Sequence, residues 1–233
     1  MGIFTKGEMV TVGNGNVYLK RDPKGTVVYV LNPTLDTILS APKFGIFKPK
    51  APVNASWISI GKEDVGFELG EKPSAKAFIW VLVPINPKNL KEGFETKLWE
   101  AGKSDYDTIS TQVNEYNNDL RGMMVVMQKP QQRWNMAANK PPASKAVPVE
   151  VLEAAWAEVE AKGLGNPADP GFNEAEFGKM VGVIQSPALQ RKFIIDRSQG
   201  ALKSWNEVRK AFSLPPVSDG DGVDENDVSG YDE

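Results

Sequence analysis

The spacing of apolar residues divides the chain. Up to residue 130 they fall mostly in short β-branched or alternating runs, interrupted by one helical stretch, and beyond Pro148 they recur every three to four positions. Val17-Tyr18-Leu19-Lys20 and Thr26 to Leu31 flank Asp22-Pro23-Lys24-Gly25, which predicts a hairpin about a Pro-Gly turn, ended by Asn32-Pro33. Lys43 to Lys48 and Ala55 to Gly61 predict further strands, the second alternating Trp57 and Ser59 with Ile58 and Ile60. Gly61 to Pro73 reads as a charged loop. Ala77 to Val83 predicts a central strand and Phe94 to Trp99 its partner, with Phe94, Thr96 and Leu98 on one side and Lys97 and Trp99 on the other.

A helix follows. Ser104 and Asp107 resemble a capping box, Tyr106, Ile109, Val113 and Tyr116 mark one helical face, and Asn117-Asn118 stops it. Gly122 to Gln128 then predicts a strand, Lys129-Pro130 a break, and Arg133 to Ala137 a short last strand. Some five strands with one helix inserted before the fourth fit the Greek-key order of an OB barrel, whose open face often binds oligonucleotides.

After a linker at Asn139 to Ser144, Pro148 suits the first turn of a helix carrying Val149, Leu152, Trp156 and Val159 up to Gly163. Asn173 can cap a second helix with Phe177, Met180, Val181 and Ile184. Ser186-Pro187 can begin a third through Ile194, and Leu202, Trp205, Val208 and Phe212 mark a fourth, ended by Pro215-Pro216. These stripes read as core, because an amphipathic helix must bury its apolar side. The expected fold is mainly β with added α. A five-stranded OB-fold domain would cover 1–140, a helical region 141–217, and a flexible acidic tail 218–233.

Composition narrows the chemistry. The 233 residues include no cysteine and no histidine, which excludes disulfides, thiolate nucleophiles, Ser-His triads and zinc sites built from Cys or His. The start, MGIFTKGEMV, lacks the pattern of a secretory leader, and the longest apolar run, Ala77 to Ile85, is too short to span a membrane. A soluble cytoplasmic protein without a cofactor is expected, and Asn54-Ala55-Ser56 is then a chance match to a glycosylation acceptor.

Charge locates the candidate site. The net charge of -3 averages a body of +5 over Met1 to Lys145, -1 over Ala146 to Ser218, and -7 over the last fifteen residues. Two windows of the body contain no acid. One holds Lys43, Lys48, Lys50 and Lys62 with Phe44, Phe47 and Trp57 interleaved; the other holds Arg121, Lys129, Arg133, Lys140 and Lys145 around Trp134. Cations seek phosphates and exposed bases stack on rings, so interleaved lysines and aromatics suit a single nucleic-acid strand.

The segments VYLKRDPKGTVVYVL, KAFIWVLVPIN with KLWEAGKSDYDTISTQVNEY, and LRGMMVVMQKPQQRWNM, with Tyr231 near an acidic end, follow in an order that resembles the single-stranded DNA-binding, helix-destabilising proteins of tailed bacteriophages. The resemblance is one of layout over Val17 to Met136 plus the tail. It implies an OB fold that coats unpaired DNA during replication, recombination and repair, with the acidic C-terminus recruiting replication proteins. Carried over by position, Lys20, Tyr29, Trp57, Trp80, Lys97, Trp99, Arg133 and Trp134 become groove residues. Asp219, Asp221, Asp224, Glu225, Asp227, Tyr231, Asp232 and Glu233 become the partner-binding tail. Some members hold a Cys/His zinc site where Gly61 to Pro73 offers none, and the basic amino-terminal arm of others is reduced to Lys6 before Lys20. From chemistry alone, seven acids on a flexible chain can mimic a phosphate backbone in a basic groove until a real strand displaces them.

Other patterns fit less well. The tail fails three positions of an EF-hand loop, at Val223, Asp224 and Gly230. Ser40-Ala41-Pro42-Lys43 matches S-x-x-K without its companion motifs, and the Gly13-Asn14-Gly15 and Gly163-Leu164-Gly165 triplets read as turns. A two-metal enzyme would need clustered carboxylates, whereas Glu63-Asp64 and Asp105 with Asp107 are explained by loop solvation and a helix start. A structural or adaptor protein of a replisome or virion is the remaining alternative.

Overall fold

The computed structural model describes residues 17–47, 51–129 and 135–217. Among them are seven strands, β1 (Thr26–Val30), β2 (Leu39–Ile46), β3 (Ala55–Ile58), β4 (Ser74–Pro84), β5 (Phe94–Gly102), β6 (Met124–Gln128) and β7 (Asn135–Asn139). Six helices accompany them, α1 (Val65–Glu68), α2 (Lys103–Ser110), α3 (Val149–Ala161), α4 (Glu174–Val181), α5 (Pro187–Arg197) and α6 (Trp205–Ala211). The protein is of mixed α/β type. Its sheet is open and antiparallel, ordered β3-β2-β4-β1-β6-β7, with β5 also on β4, and the described pairings do not close it into a barrel.

Two compact units are interleaved along the chain. Of the described residues, the larger comprises 17–41, 75–129 and 135–180, and the smaller comprises 42–47, 51–74 and 181–217. The boundary expected at residue 140 falls inside the larger unit, because α3 and α4 join the strands while α5 and α6 share a core with β2 and β3.

In the larger unit β1 lies between β4 and β6, with Val30 opposite Val81 and Val28 opposite Val125. The Asp22-Pro23-Lys24-Gly25 turn forms, with Gly25 N–H donating to the Asp22 carbonyl at 3.1 Å and Lys24 N–H to the Asp22 side chain at 2.8 Å. The hairpin predicted around it does not. Both edges of β1 are taken, so Val17 and Leu19 bond instead to Leu98 of β5, in parallel. One face of the sheet buries Val28, Ile79, Trp99 and Val125 under Ile109 of α2, with Tyr106, Val113 and Tyr116 packed against them. The helix predicted over 104–116 breaks after Ser110 into a 3-10 turn at Val113–Tyr116, yet its four apolar residues keep the expected face.

The opposite face of the same sheet is covered as well. Phe78 meets Phe177 of α4 edge to face at 5.8 Å, and Trp80 donates its indole N–H to the Leu164 carbonyl at 3.0 Å. α3 is built from strong helix formers, and Gly163, at φ +69°, closes it in the left-handed conformation.

In the smaller unit β2 pairs with β3, Phe44 opposite Trp57 and Ile46 opposite Ala55. These four side chains form a core with Val65, Leu69, Ile194, Trp205 and Val208. Ser186 caps α5 by accepting from Leu189 N–H at 3.2 Å, as the sequence predicts. No described helix is long and apolar enough to cross a membrane.

Candidate nucleic-acid interface

The described candidate residues divide by exposure. In the larger unit Tyr29 is 1% exposed and Trp99 1%, and Trp80 at 6% is fastened to Leu164. Tyr29 stands edge-on to Phe94 at 6.0 Å, and burial pushes its phenol above the ordinary value. In the smaller unit Phe44 and Trp57 are buried and stacked at 5.7 Å. These five rings are core, which corrects the expectation that they line an open groove. The physical reason in the larger unit is that helical segments cover both sheet faces, so neither orientation of a ring leaves it open.

The cations are spread. Lys20 is exposed, Lys97 is half-buried and pairs with Glu95 at 3.0 Å, and Arg121 pairs with Asp119 at 2.7 Å. The Arg121 guanidinium holds the Asp119 carboxyl below its usual range. Lys48, Lys50, Arg133, Trp134 and the tail residues Asp219, Asp221, Asp224, Glu225, Asp227, Tyr231, Asp232 and Glu233 lie outside the described residues.

Phe47 behaves differently. Strand alternation sends Phe44 and Ile46 into the core of the smaller unit and places Lys43, Gly45 and Phe47 on the other face. The Phe47 ring is 56% exposed and lies over Gly45, where an added Cβ would come within 2.5 Å of it. Glycine at position 45 therefore leaves room for the ring over the strand, on the face that also carries Lys43, with Lys48 and Lys50 next in the chain. Sequence inspection missed a second open ring, Phe67 on α1, which is 48% exposed and stands edge-on to Phe44 at 4.9 Å. Its signal was an aromatic inside an otherwise charged, Gly-containing loop.

Beneath this hairpin two carboxylates organise the smaller unit. Asp64 accepts from Trp57, Gln190, Gly66 and Ile60, and Glu68 accepts from Trp205, Arg191 and Arg209. Burial alone would raise the Glu68 pKa, but the Trp205 indole and the two guanidinium groups hold it below the usual carboxylate value. Among the described residues no three carboxylates stand close enough together to hold a metal ion.

At its described end the chain is clipped to α6. Asn206 accepts from Val217 N–H at 2.9 Å and donates to the Val217 carbonyl at 3.2 Å, so the acidic residues that follow issue from the smaller unit. Compared with known protein families, with characterised proteins and with solved structures, the chain matches none.

Proposed function

We propose that the protein is a non-catalytic single-stranded DNA-binding protein that coats unpaired strands in phage replication, recombination and repair. The observation that carries this reading is Phe47, an aromatic ring laid open over Gly45 on the strand face that also bears Lys43. Base stacking on such a ring and phosphate neutralisation by neighbouring lysines are the two contacts that sequence-independent strand binding uses. The site is thus the β2–β3 hairpin rather than a groove lined by Trp80 and Trp99. The OB fold belongs to this reading and is supported by antiparallel strands with one helix set between β5 and β6. The acidic residues follow Val217, which Asn206 of α6 holds, and in this reading they compete with DNA for the lysines and recruit replication and recombination proteins once DNA displaces them.

Fluorescence anisotropy with labelled oligo(dT) tests the reading. Phe47→Ala should weaken binding by ~1–3 kcal/mol. A chain ending at Ser218 should bind more tightly at low salt. Absence of binding by the intact protein, or an unaltered affinity of Phe47→Ala, overturns the reading. The burial of five candidate rings favours the second reading, an adaptor of a replisome or virion that binds no nucleic acid, and the first of those results is the one it expects.

A further inference from the structure

α3 carries two apolar stripes. Leu152, Trp156 and Val159 are buried, whereas Val151, Ala154, Ala155 and Glu158, at the i, i+3, i+4, i+7 spacing of a second face, line a cavity of about 680 Å³ in the larger unit. Strand alternation supplies its floor. The register of β4 against β5 sets Leu82 opposite Thr96 and Pro84 opposite Phe94, so Leu82, Thr96 and Phe94 share one sheet face, and Tyr29 stands edge-on to the Phe94 ring at 6.0 Å. Leu90 and Lys91, from the turn between these strands, add to the lining.

The lining follows α3 from Pro148 to Glu158, which at 1.5 Å per residue is about 15 Å, the length of four or five residues of extended chain. A trough of that length suits a peptide segment. Its charge selects which kind. Glu150 and Glu158 stand on α3 two turns apart against one base, Lys91, and among the described residues neither glutamate has an ion-pair partner. From Ala146 to Ala161 the chain holds four glutamates and no lysine or arginine. Such a wall repels phosphates and attracts cationic side chains. Exposed apolar surface adjoins it. Among the described residues the two most exposed large apolar side chains are Val149, at 62%, between Pro148 and Glu150 in the chain, and Ile85, at 59%, whose Cδ1 would lie 3.7 Å from a Cβ added at Gly93 of the lining. Contiguous apolar surface with a polar rim is what a protein partner covers.

We propose that this groove docks a segment of a partner protein that combines apolar side chains with lysine or arginine, the apolar groups against Phe94, Ala154 and Ala155 and the cations at Glu150 and Glu158. Docking here needs no DNA, so it holds whether or not the protein binds oligo(dT). Panning the full-length protein against a displayed library of random short peptides tests it. The recovered peptides should join apolar residues to a net positive charge, and synthetic copies should bind in a salt-sensitive way by fluorescence anisotropy. Ala154→Trp, which fills the groove from an exposed position, should weaken them about tenfold, and Glu158→Gln about threefold. Both variants should keep the urea midpoint of the intact protein, and Phe47→Ala should bind the peptides as before. Recovery of no peptides, whether the groove stays empty or the chain's own residues fill it, overturns the proposal. Acidic or uncharged peptides overturn it too, as do basic ones whose affinity neither groove variant alters, which the acidic tail would hold instead. A dimer by sedimentation that Ala154→Trp converts to a monomer would assign the groove to a second copy and sink it equally.

Discussion

The indole N–H of Trp57 donates to both carboxylate oxygens of Asp64, at 3.0 and 3.2 Å, at a point where Trp57 and Asp64 are each 1% exposed. A carboxylate so deeply placed is kept by its hydrogen bonds, and Asp64 collects further donors from Gln190 at 2.9 Å, Gly66 N–H at 2.8 Å and Ile60 N–H at 3.2 Å. Gln190 in turn accepts from Val65 N–H at 3.0 Å, so two stretches of sequence over a hundred residues apart share one polar centre.

Removing that centre leaves several buried donors unpaired. Asp64→Ala should cost about 3 kcal/mol or more, whereas Asp64→Asn should cost less because it keeps the volume and one acceptor oxygen. Urea unfolding followed by tryptophan fluorescence measures both. Equal, small losses would show that the donors find other partners.

Glu68 should make stability depend on acid. Its carboxyl titrates below its ordinary 4.5 in the folded protein, so the native state favours the ionised form. The contribution is fully present above the unfolded value and disappears as pH falls through the native one. Glu68→Gln should therefore be less stable than the intact protein near neutral pH, and the gap should narrow by about pH 3. A gap that stays constant between those two pH values would contradict this.

Trp80 separates a structural ring from a binding ring. Trp80→Phe keeps most of the buried area but leaves the Leu164 carbonyl without its indole donor, which should cost about 1–3 kcal/mol. Affinity of the folded variant for oligo(dT) should not change. A stable variant with weakened binding would return Trp80 to the DNA site.

Gly66 is needed for close approach. It sits on α1 directly under Phe44, and an added Cβ would fall within 2.3 Å of that ring. Gly66→Ala should displace Phe44 from its stack on Trp57 and cost about 1–3 kcal/mol, measured as a lower urea midpoint.

Most elements were legible because their causes are local. The unbroken apolar run at Ala77 to Val83 and the alternating one at Phe94 to Trp99 became paired strands, and Ser186 and Asn173 cap helices as their positions predict. The apolar stripe of Tyr106, Ile109, Val113 and Tyr116 found the core even though the helix beneath it broke. Site residues were less legible. A ring between lysines has the same sequence pattern whether it faces solvent or core, and only Phe47 among the described candidate rings is open.

By itself the amino-acid sequence determined periodicity, turns, caps and an acidic end on a basic body, since each depends on neighbours within a few residues. Tertiary structure alone decided that β1 would pair with β4 and β6 rather than with Val17 to Lys20. It also decided that α4 and the segment after α3 would cover Phe78 and Trp80, and that α5 and α6 would share a core with β2 and β3. Those choices turn on which distant apolar surfaces bury each other best, and no local pattern carries that comparison.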